Sequence, residues 1–354
     1  MSEIASALKV AYHRDKLQAY LRGERIFPAT LELDLTTVCN RNCPHCASTT
    51  YLPADYLELD FVDRLFSIVQ GQTRGLLLTG GEPTMAPCFP DVLRLARQRD
   101  FLEVAVVTNG SLLGHETVAD ALLTSASTVR LSLYDWTAGP RDGLHAALRR
   151  IEALRTRIDQ ERSRLQIGVS VLTSEENADE LAEVVRATSS AGAHWVYFHP
   201  FCTRWDAGTP TKVSQNRVLA AIAACQSQHT NGFGVHVCSE RYADAALEFE
   251  GYHAAHFLLV VGADGMNYLG PEVKYHARHV MADLSREWRD DFLWKEERLA
   301  RIQSVSSRTY PAMGSRHRGA LYSDLIEDMR RRVSPDRAWP ALVSNREFLF
   351  PHIL

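Results

Sequence analysis

Cys39-Asn-Arg-Asn-Cys43-Pro-His-Cys46 is the stretch that decides the fold, because it gathers three cysteines within eight residues. It follows Leu31-Glu-Leu-Asp-Leu-Thr-Thr-Val38, an apolar and β-branched run that predicts a strand. Three thiolates this close face one point only if the loop curls around a shared metal centre. Structural zinc normally takes four protein ligands, whereas iron–sulfur clusters are held by cysteine thiolates. The spacing therefore favours an iron–sulfur loop.

Two simpler interpretations of the cysteine loop stay open at this point. Structural zinc needs a fourth ligand, and His45 lies awkwardly inside the cysteine triplet for that role. A disulfide is the other alternative, but three clustered cysteines cannot pair evenly and nothing in the sequence indicates secretion.

The composition is that of a globular protein with an ample core. The chain has 354 residues, 45% of them hydrophobic and 23% charged, enough for one large α/β domain or two ordinary ones. The net charge of −4 shows no basic footprint for nucleic acid. No apolar run approaches membrane-spanning length, and the N-terminus lacks the apolar core of a signal peptide. Seven cysteines, four of them scattered, fit a reducing compartment, so a cytoplasmic protein without nucleic-acid or membrane partners is expected.

Strand and helix patterns alternate strictly over the first two thirds of the chain. Helical patterns cover 3–22 and follow each of six strand patterns, which lie at 31–36, 76–79, 103–108, 128–133, 165–172 and 194–199. Such alternation predicts a parallel sheet with helices outside it. Six units are too few to close an eight-stranded barrel, so the expected α/β fold is a partial (β/α)6 TIM-like barrel.

The pattern changes after about residue 232. Residues 257–269 read as a β-hairpin with an Asp-Gly turn, and helical patterns follow at 286–302 and 320–331. A proline-containing tail is expected to wrap the surface. The expected division is a helical segment at 1–30, the partial barrel at 31–231 and a small α+β extension at 232–354.

Chemistry-bearing residues follow the predicted strands at their carboxyl ends, where parallel α/β folds place their active sites. The cysteine loop follows the first strand, Gly80-Gly81-Glu82-Pro83 the second and Thr108-Asn109-Gly110 the third. Ser132 and Tyr134 end the fourth strand, and His199 ends the sixth. This coincidence predicts one site at this edge of the sheet.

The cysteine spacing and the Gly-Gly-Glu-Pro run together resemble the radical S-adenosylmethionine (SAM) superfamily over residues 30–230. The resemblance implies one 4Fe–4S cluster on Cys39, Cys43 and Cys46, whose free iron chelates the methionine end of SAM. It also implies a 5′-deoxyadenosyl radical that abstracts hydrogen from a substrate. A tight turn is the simpler interpretation of Gly-Gly-Glu-Pro alone.

The same resemblance implies further contacts to SAM. Glu82 is expected to face the methionine ammonium, and the glycines beside it would let the backbone approach the ligand. Asn177 is expected to lie near the adenine, and the simpler interpretation of this residue is a helix cap. The implied SAM-binding residues are His45, Gly80, Gly81, Glu82, Pro83, Asn109, Ser132, Val171 and Asn177.

The hairpin resembles the start of an extension that binds auxiliary clusters in many superfamily members. Here Gly270 stands where a cysteine is expected, and no cysteine follows Cys238. We therefore expect a single cluster and a redox-neutral reaction, with electrons from a flavodoxin or ferredoxin. The four remaining cysteines are expected to be ordinary buried residues.

A small-molecule substrate is expected, because only about 30 residues precede the first strand, too few for a leader-peptide-binding domain. Tyr197, His199, Arg204 and Lys274 are the candidate substrate and catalytic residues, suited to an anionic sugar or nucleoside. The simpler interpretation of these four residues is that they belong to a charged protein surface. The plan resembles sugar- and nucleoside-modifying superfamily members, including glycosyl-uronate decarboxylases such as cytosylglucuronate decarboxylase. A peptide-modifying enzyme and a non-enzymatic zinc or scaffold protein remain as alternatives.

Overall fold

Ten strands form one sheet in the computed structural model, which describes residues 6–43, 46, 52–134, 142–200, 216–228, 232–242, 247–286, 288–310, 318–332 and 347–354. Their order is β10-β9-β8-β1-β2-β3-β4-β5-β6-β7. The strands are β1 Thr30–Thr36, β2 Gly75–Gly80, β3 Glu103–Thr108, β4 Thr128–Leu133, β5 Gln166–Thr173, β6 Trp195–Pro200, β7 Gly234–Val237, β8 Leu258–Val261, β9 Met266–Tyr268 and β10 Val280–Asp283.

Most helices are crossovers between parallel strands, as the sequence predicts. In chain order they are α1 Lys9–Tyr12, α2 Arg14–Leu21, α3 Leu59–Val69, α4 Phe89–Gln98, α5 Glu116–Ser125, α6 Asp142–Glu161, α7 Leu181–Ser190, α8 Asn216–Gln228, α9 Ala254–Phe257, α10 Glu296–Ser304 and α11 Arg318–Arg332. The predicted helix at 320–331 is confirmed as α11. The continuous helix predicted at 3–22 is wrong, because it is interrupted at His13, and the one predicted at 286–302 begins only at Glu296. No helix in the described ranges is long and apolar enough to span a membrane.

The predicted parallel α/β sheet is confirmed, and it is wider than the six predicted strands. Strands β1 to β7 pair in parallel in chain order, and β7 is a strand that the sequence analysis misses. The predicted hairpin is confirmed as β8 and β9, with Val260 opposite Tyr268. Its first strand pairs in parallel with β1, Thr30 lying opposite Leu258, so the hairpin continues the barrel sheet. Among the described residues β7 and β8 do not pair, and the barrel is not closed. The proposed domain limits stay a prediction.

The two faces of the sheet differ in chemistry, because successive residues of a strand point to opposite faces. Outward residues such as Leu33, Val106 and Val169 pack with the helices in the main hydrophobic core. Inward residues such as Glu32 and Arg130 line a central cavity. The apolar layer holds the helices, and the polar layer is left for function.

Both described chain ends pack beneath the amino ends of the strands. Lys9 in α1 donates from Nζ to the carbonyl oxygens of Phe350 and Ile353, both at 2.9 Å, and burial lowers the pKa of Lys9 to about 7. Leu354 is 3% exposed, and its N–H donates to Thr30 Oγ1 at 3.0 Å. The expectation of a tail on the surface is therefore wrong for Leu354, whereas Glu347 is exposed and residues 348–353 are partly buried.

Candidate active site

A cavity of about 270 Å³ runs along the inner face of the sheet. Cys46 lines it at the carboxyl end of the strands, and Lys9 and Leu354 line it at the amino end. Small side chains such as Ala105 and Thr79 leave room on one side, while the rings of β6 line the other. The cavity thus joins the cysteine loop to the interior of the barrel.

The Gly80-Gly81 turn packs directly against the backbone that leads into the cysteine loop. Gly81 N–H donates to the carbonyl of Thr36 and Glu82 N–H to that of Val38, both at 2.8 Å. A Cβ on Gly81 would lie 2.3 Å from the Val38 oxygen, and Gly80 has a positive φ of 117°. The glycines are therefore required by contact between two segments of this chain, a reason that the sequence analysis does not foresee.

Glu82 is fully buried and its carboxylate is bound by its own chain. Oε1 accepts hydrogen bonds from the Thr84 N–H at 3.2 Å, from the Thr84 hydroxyl and from the Thr108 hydroxyl at 2.7 Å. Oε2 accepts from the Asn109 N–H at 2.6 Å. Glu82 thereby joins the loops after β2 and β3, and its expected contact with the methionine ammonium stays a prediction.

Asn109 connects this carboxylate to the cysteine loop. Its Nδ2 donates to Asn40 Oδ1 at 2.8 Å and lies 3.7 Å from Cys39 Sγ, within hydrogen-bonding range of sulfur. The Arg41 N–H also donates to Cys39 Sγ, at 3.4 Å. Burial raises the pKa of the Cys39 thiol, and these two hydrogen bonds oppose the rise. The sulfur therefore has donors placed to stabilise negative charge.

The three cysteines of the loop form no disulfide with a described residue, so the described structure gives no support to that alternative. They have the soft donor chemistry that an iron–sulfur cluster requires, with N–H donors beside Cys39 and with Cys46 at the cavity. Across the described ranges, no three His, Cys, Asp or Glu side chains are arranged to hold a metal ion. The cluster assignment therefore depends on donor chemistry and family, and Cys39, Cys43 and Cys46 would hold it.

Tyr197 and His199, two of the candidate substrate residues, lie together on the inner face of β6. Their rings stack with centroids 5.4 Å apart, and His199 Nε2 lies 2.9 Å from Ser170 Oγ. Tyr134 meets the His199 ring edge to face at 5.9 Å. Arg241 Nη1 donates to the Tyr197 hydroxyl at 3.2 Å, and burial raises the pKa of Tyr197. These rings form one wall of the cavity.

Lys274 is a buried ion-pair partner that also lines the cavity. Its side chain is 7% exposed, and Nζ lies 3.0 Å from Glu32 Oε1 and 2.7 Å from Asp34 Oδ1. Burial raises the pKa of Asp34, whereas at Glu32 the cations Lys274 and Arg318 outweigh burial and lower the pKa to about 2. The surface interpretation of Lys274 is wrong. Its charge is already matched by carboxylates, so its role toward an anionic substrate stays a prediction.

Other predicted SAM contacts lie around the carboxyl edge with different exposures. Val171 packs in the core between sheet and helices and is fully buried, so its adenine contact stays a prediction. Asn177 caps the turn after β5, with Oδ1 accepting from the Ser174 N–H and Nδ2 donating to the Leu172 carbonyl. Ser132 lies opposite Ser170 in the sheet, and Pro83 begins a short 3-10 turn. His45 and Arg204 lie outside the described residues.

Sequence reasoning misses two inward-facing groups of the cavity. Glu32 and Asp34 sit in the first strand, where they read as the polar positions of an alternating pattern. Arg130 sits in the middle of β4, two residues before Ser132 and on the same face. An arginine inside a strand of a parallel sheet was the available signal, because both faces of such a sheet are usually covered by apolar groups.

Comparison with known proteins identifies the class of domain. Residues 33–186, less than half of the chain, match the family model of the radical SAM superfamily. This superfamily uses a 4Fe–4S cluster and SAM, in agreement with the cysteine loop. In fold, the chain is similar to Streptococcus suis SuiB bound to S-adenosylmethionine, with a TM-score of 0.66 and 13% identity over 83% of this chain and 72% of that one. It is also similar in fold to anSMEcpe with bound AdoMet, with a TM-score of 0.58 and 12% identity. That match covers 87% of this chain and 96% of the other chain.

Two curated proteins are similar in sequence. The AdoMet-dependent heme synthase of Methanosarcina barkeri is 31% identical over 191 residues, 49% of this chain and 50% of that protein. The GTP 3',8-cyclase of Yersinia pestis is 37% identical over 87 residues, 23% of this chain and 26% of that protein. The chain thus spans half the length of the first relative and about a quarter of the second.

Proposed function

We propose that this protein is a radical SAM enzyme that removes a hydrogen atom from a small sugar- or nucleoside-type substrate in the central cavity. The observation that carries the proposal is the placement of Cys46 at one end of a cavity that charged side chains such as Glu32, Arg130 and Lys274 help to line. When bound, the cluster and SAM supply a 5′-deoxyadenosyl radical that takes hydrogen from a substrate carbon. The chain has to hold that carbon in place, because misplacement by 1 Å can reduce the rate by ~100-fold.

The residues around the cysteine loop and those of the cavity have separate tasks in this proposal. Glu82 and Asn109 fix the loops around the cysteines, while Gly80 and Gly81 allow those loops to touch. Tyr197 and His199 provide a flat wall for a sugar or base ring. Lys274 forms buried ion pairs with Glu32 and Asp34 of β1. These contacts hold the hairpin that begins with β8 against β1.

A redox-neutral outcome is part of the proposal. The chain has no cysteine after Cys238 and therefore no evident ligands for a second cluster, which would accept an electron from the substrate radical and so give an oxidised product. Decarboxylation of a glycosyl uronate such as cytosylglucuronate, or epimerisation, fits this condition. A flavodoxin or ferredoxin is the proposed electron donor.

A peptide substrate is the second candidate, favoured by one observation. The chain is similar in fold to SuiB of Streptococcus suis, which was solved bound to its precursor peptide SuiA, with a TM-score of 0.64 and 12% identity over 94% of this chain and 80% of that one. Residues from both described ends of the chain help to line the cavity. This lining favours the small substrate instead.

The test uses anaerobically reconstituted protein with SAM and a reductant. Candidate glycosyl uronates, carrying deuterium at the ring carbons, are supplied one at a time, and 5′-deoxyadenosine and product are measured in parallel. We expect deuterium in 5′-deoxyadenosine together with loss of carbon dioxide or an inverted centre. Cys46→Ala is the inactive variant and Cys88→Ala its matched control. Cleavage of SAM with deuterium transfer only from a peptide would replace the small-substrate proposal, and absence of SAM cleavage would overturn the enzyme assignment.

A further inference from the structure

Arg130 differs from the other cations around the central cavity. It comes from the middle of β4 and lines the cavity, and its Nε is buried without a hydrogen-bond partner among the described residues. Within the same ranges, no carboxylate forms an ion pair with it. Burial lowers the pKa of Arg130, yet an arginine side chain stays protonated in proteins. The cavity wall thus contains a positive charge that no described carboxylate neutralises.

Neighbouring cations have charged or hydrogen-bonding partners, and the described residues offer none of these to Arg130. Lys274 is paired with Glu32 and Asp34, and Arg318 is paired with Glu32. Lys9 donates to two carbonyl oxygens of the tail. Leaving a buried charge uncompensated is strongly unfavourable, so a cavity that keeps one is suited to receive an anion.

The surroundings of Arg130 add further donors for an anion. Its guanidinium carbon lies 6.0 Å from the centre of the Tyr197 ring. The Tyr197 hydroxyl accepts a hydrogen bond from Arg241, which leaves its own hydrogen for donation. Arg318 lines the same cavity, and its Nε also has no hydrogen-bond partner among the described residues. A guanidinium presents parallel N–H groups that match the two oxygens of a carboxylate or phosphate.

We propose that Arg130, assisted by Tyr197 and Arg318, binds an anionic group of the substrate, a carboxylate or a phosphate, deep in the central cavity. This inference rests on the proposed function, because it names the substrate class of the same cavity. Arg130 lies one pleat below Ser132, the predicted SAM contact, so the anion sits deeper in the barrel than SAM. The arrangement fixes the anionic end of the substrate and presents the other end toward the cysteine loop.

The test measures equilibrium binding by calorimetry on reconstituted, SAM-loaded protein without reductant. D-glucuronate and glucose 6-phosphate are the anionic probes, and D-glucose is the neutral control. We expect at least one anion to bind and glucose not to bind. Arg130→Met should weaken anion binding by about tenfold or more, and Arg130→Lys by less, because lysine keeps the charge but loses the planar fork. Arg94→Gln, at an exposed arginine paired with Asp91, should bind as the unaltered protein does.

Two further readouts separate a binding role from a structural one. SAM affinity and uncoupled formation of 5′-deoxyadenosine should be unchanged in Arg130→Met, and without an anion its melting temperature should equal or exceed that of the unaltered protein. Undiminished anion binding in Arg130→Met, or no binding of either anion to the unaltered protein, overturns the inference. Loss of SAM binding in Arg130→Met also overturns it, since Arg130 would then hold the SAM carboxylate. Failure of the unaltered protein to cleave SAM would instead remove the proposed function. If Arg130→Met does not fold, Arg130→Lys decides the matter by the same measurements.

Discussion

The carboxylate of Glu82 accepts a hydrogen bond from the main-chain N–H of Asn109, with Oε2 and N 2.6 Å apart. This contact joins the loop after β2 to the loop after β3, and the Asn109 side chain continues the connection to Cys39 Sγ at 3.7 Å. Glu82, the acid that is expected to face the SAM ammonium, therefore holds together the two loops that lie beside the cysteine loop.

Replacing Glu82 by glutamine should lower both stability and SAM affinity. The amide removes the negative charge and places an N–H₂ group against donors from Thr84, Thr108 or Asn109. Loss of hydrogen bonds to a charged group costs about 1.5–3 kcal/mol, which urea unfolding should detect. Glu24→Gln, at an exposed ion pair with Arg22, is the control and should change the unfolding free energy little. An unchanged urea midpoint for Glu82→Gln would contradict the role of Glu82 in holding the two loops together.

Replacing any cysteine of the loop by alanine should abolish cluster binding. Three thiolates are the predicted ligand set, with none to spare, so Cys39→Ala, Cys43→Ala and Cys46→Ala should each lose iron and SAM cleavage. The unaltered protein should hold about four iron atoms after reconstitution. Cys225→Ala, at a buried free cysteine in α8, is the control and should keep its iron. Zinc in place of iron, or about eight iron atoms per chain, would refute a single cluster.

Removing the Asn109 side chain should make the cluster harder to reduce. The amide donates toward Cys39 Sγ, and a donor to a cluster sulfur stabilises the extra negative charge of the reduced state. Asn109→Ala should therefore shift the reduction potential to a more negative value, measured by a potentiometric titration followed by electron paramagnetic resonance. Ser111→Ala is the control, because Ser111 contacts Asn40 rather than the sulfur. Equal potentials in the two variants would show that the Asn109 amide does not act on the cluster.

Replacing Lys274 by methionine should destabilise the fold. The change leaves Glu32 and Asp34 without their shared cation, and breaking a buried ion pair costs about 3–5 kcal/mol. The double variant Lys274→Met/Asp34→Asn should recover part of this loss, and urea unfolding of all four species gives the coupling energy. Lys295→Met, at a lysine in the loop before α10, is the control. Full stability of Lys274→Met with loss of product alone would indicate a substrate contact instead.

Acid should loosen the tail that packs beneath the sheet. His13 Nε2 lies 3.1 Å from the Pro351 carbonyl oxygen, and burial, followed by the nearby His352, lowers the pKa of His13 to about 4. Between about pH 4 and the usual histidine value near 6.5, the unfolded chain binds more protons at His13, so this contribution to stability falls as the pH falls. His13→Gln keeps a donor but cannot titrate, so it should flatten the pH dependence of the urea midpoint over that range. Parallel curves for the two proteins would exclude this role of His13.

The central elements of the fold follow from local sequence patterns. Apolar runs separated by helical spacing predict the parallel sheet, because each run is long enough to form a strand and each helix covers its outer face. The rule that parallel strands present their carboxyl ends at one edge then brings the cysteine loop, Glu82, Asn109 and His199 to the same site. The sequence by itself therefore determined the six parallel strands β1 to β6, the hairpin at Leu258–Tyr268 and the edge of the sheet at which the candidate site lies.

Only the tertiary structure decided how distant parts of the chain meet around that site. Lys274 is 242 residues from its partner Glu32, and no local spacing relates the two. The pairing of β8 with β1, the burial of Leu354 and the glycine contact with Val38 likewise depend on segments far apart in sequence. Alternation shows that Arg130 and Ser132 share a face of β4, but it does not show that this face lines a cavity or that no described carboxylate pairs with Arg130. The physical reason is that pairing of charges and burial are set by three-dimensional neighbours, whereas strand and helix patterns are set by neighbours along the chain.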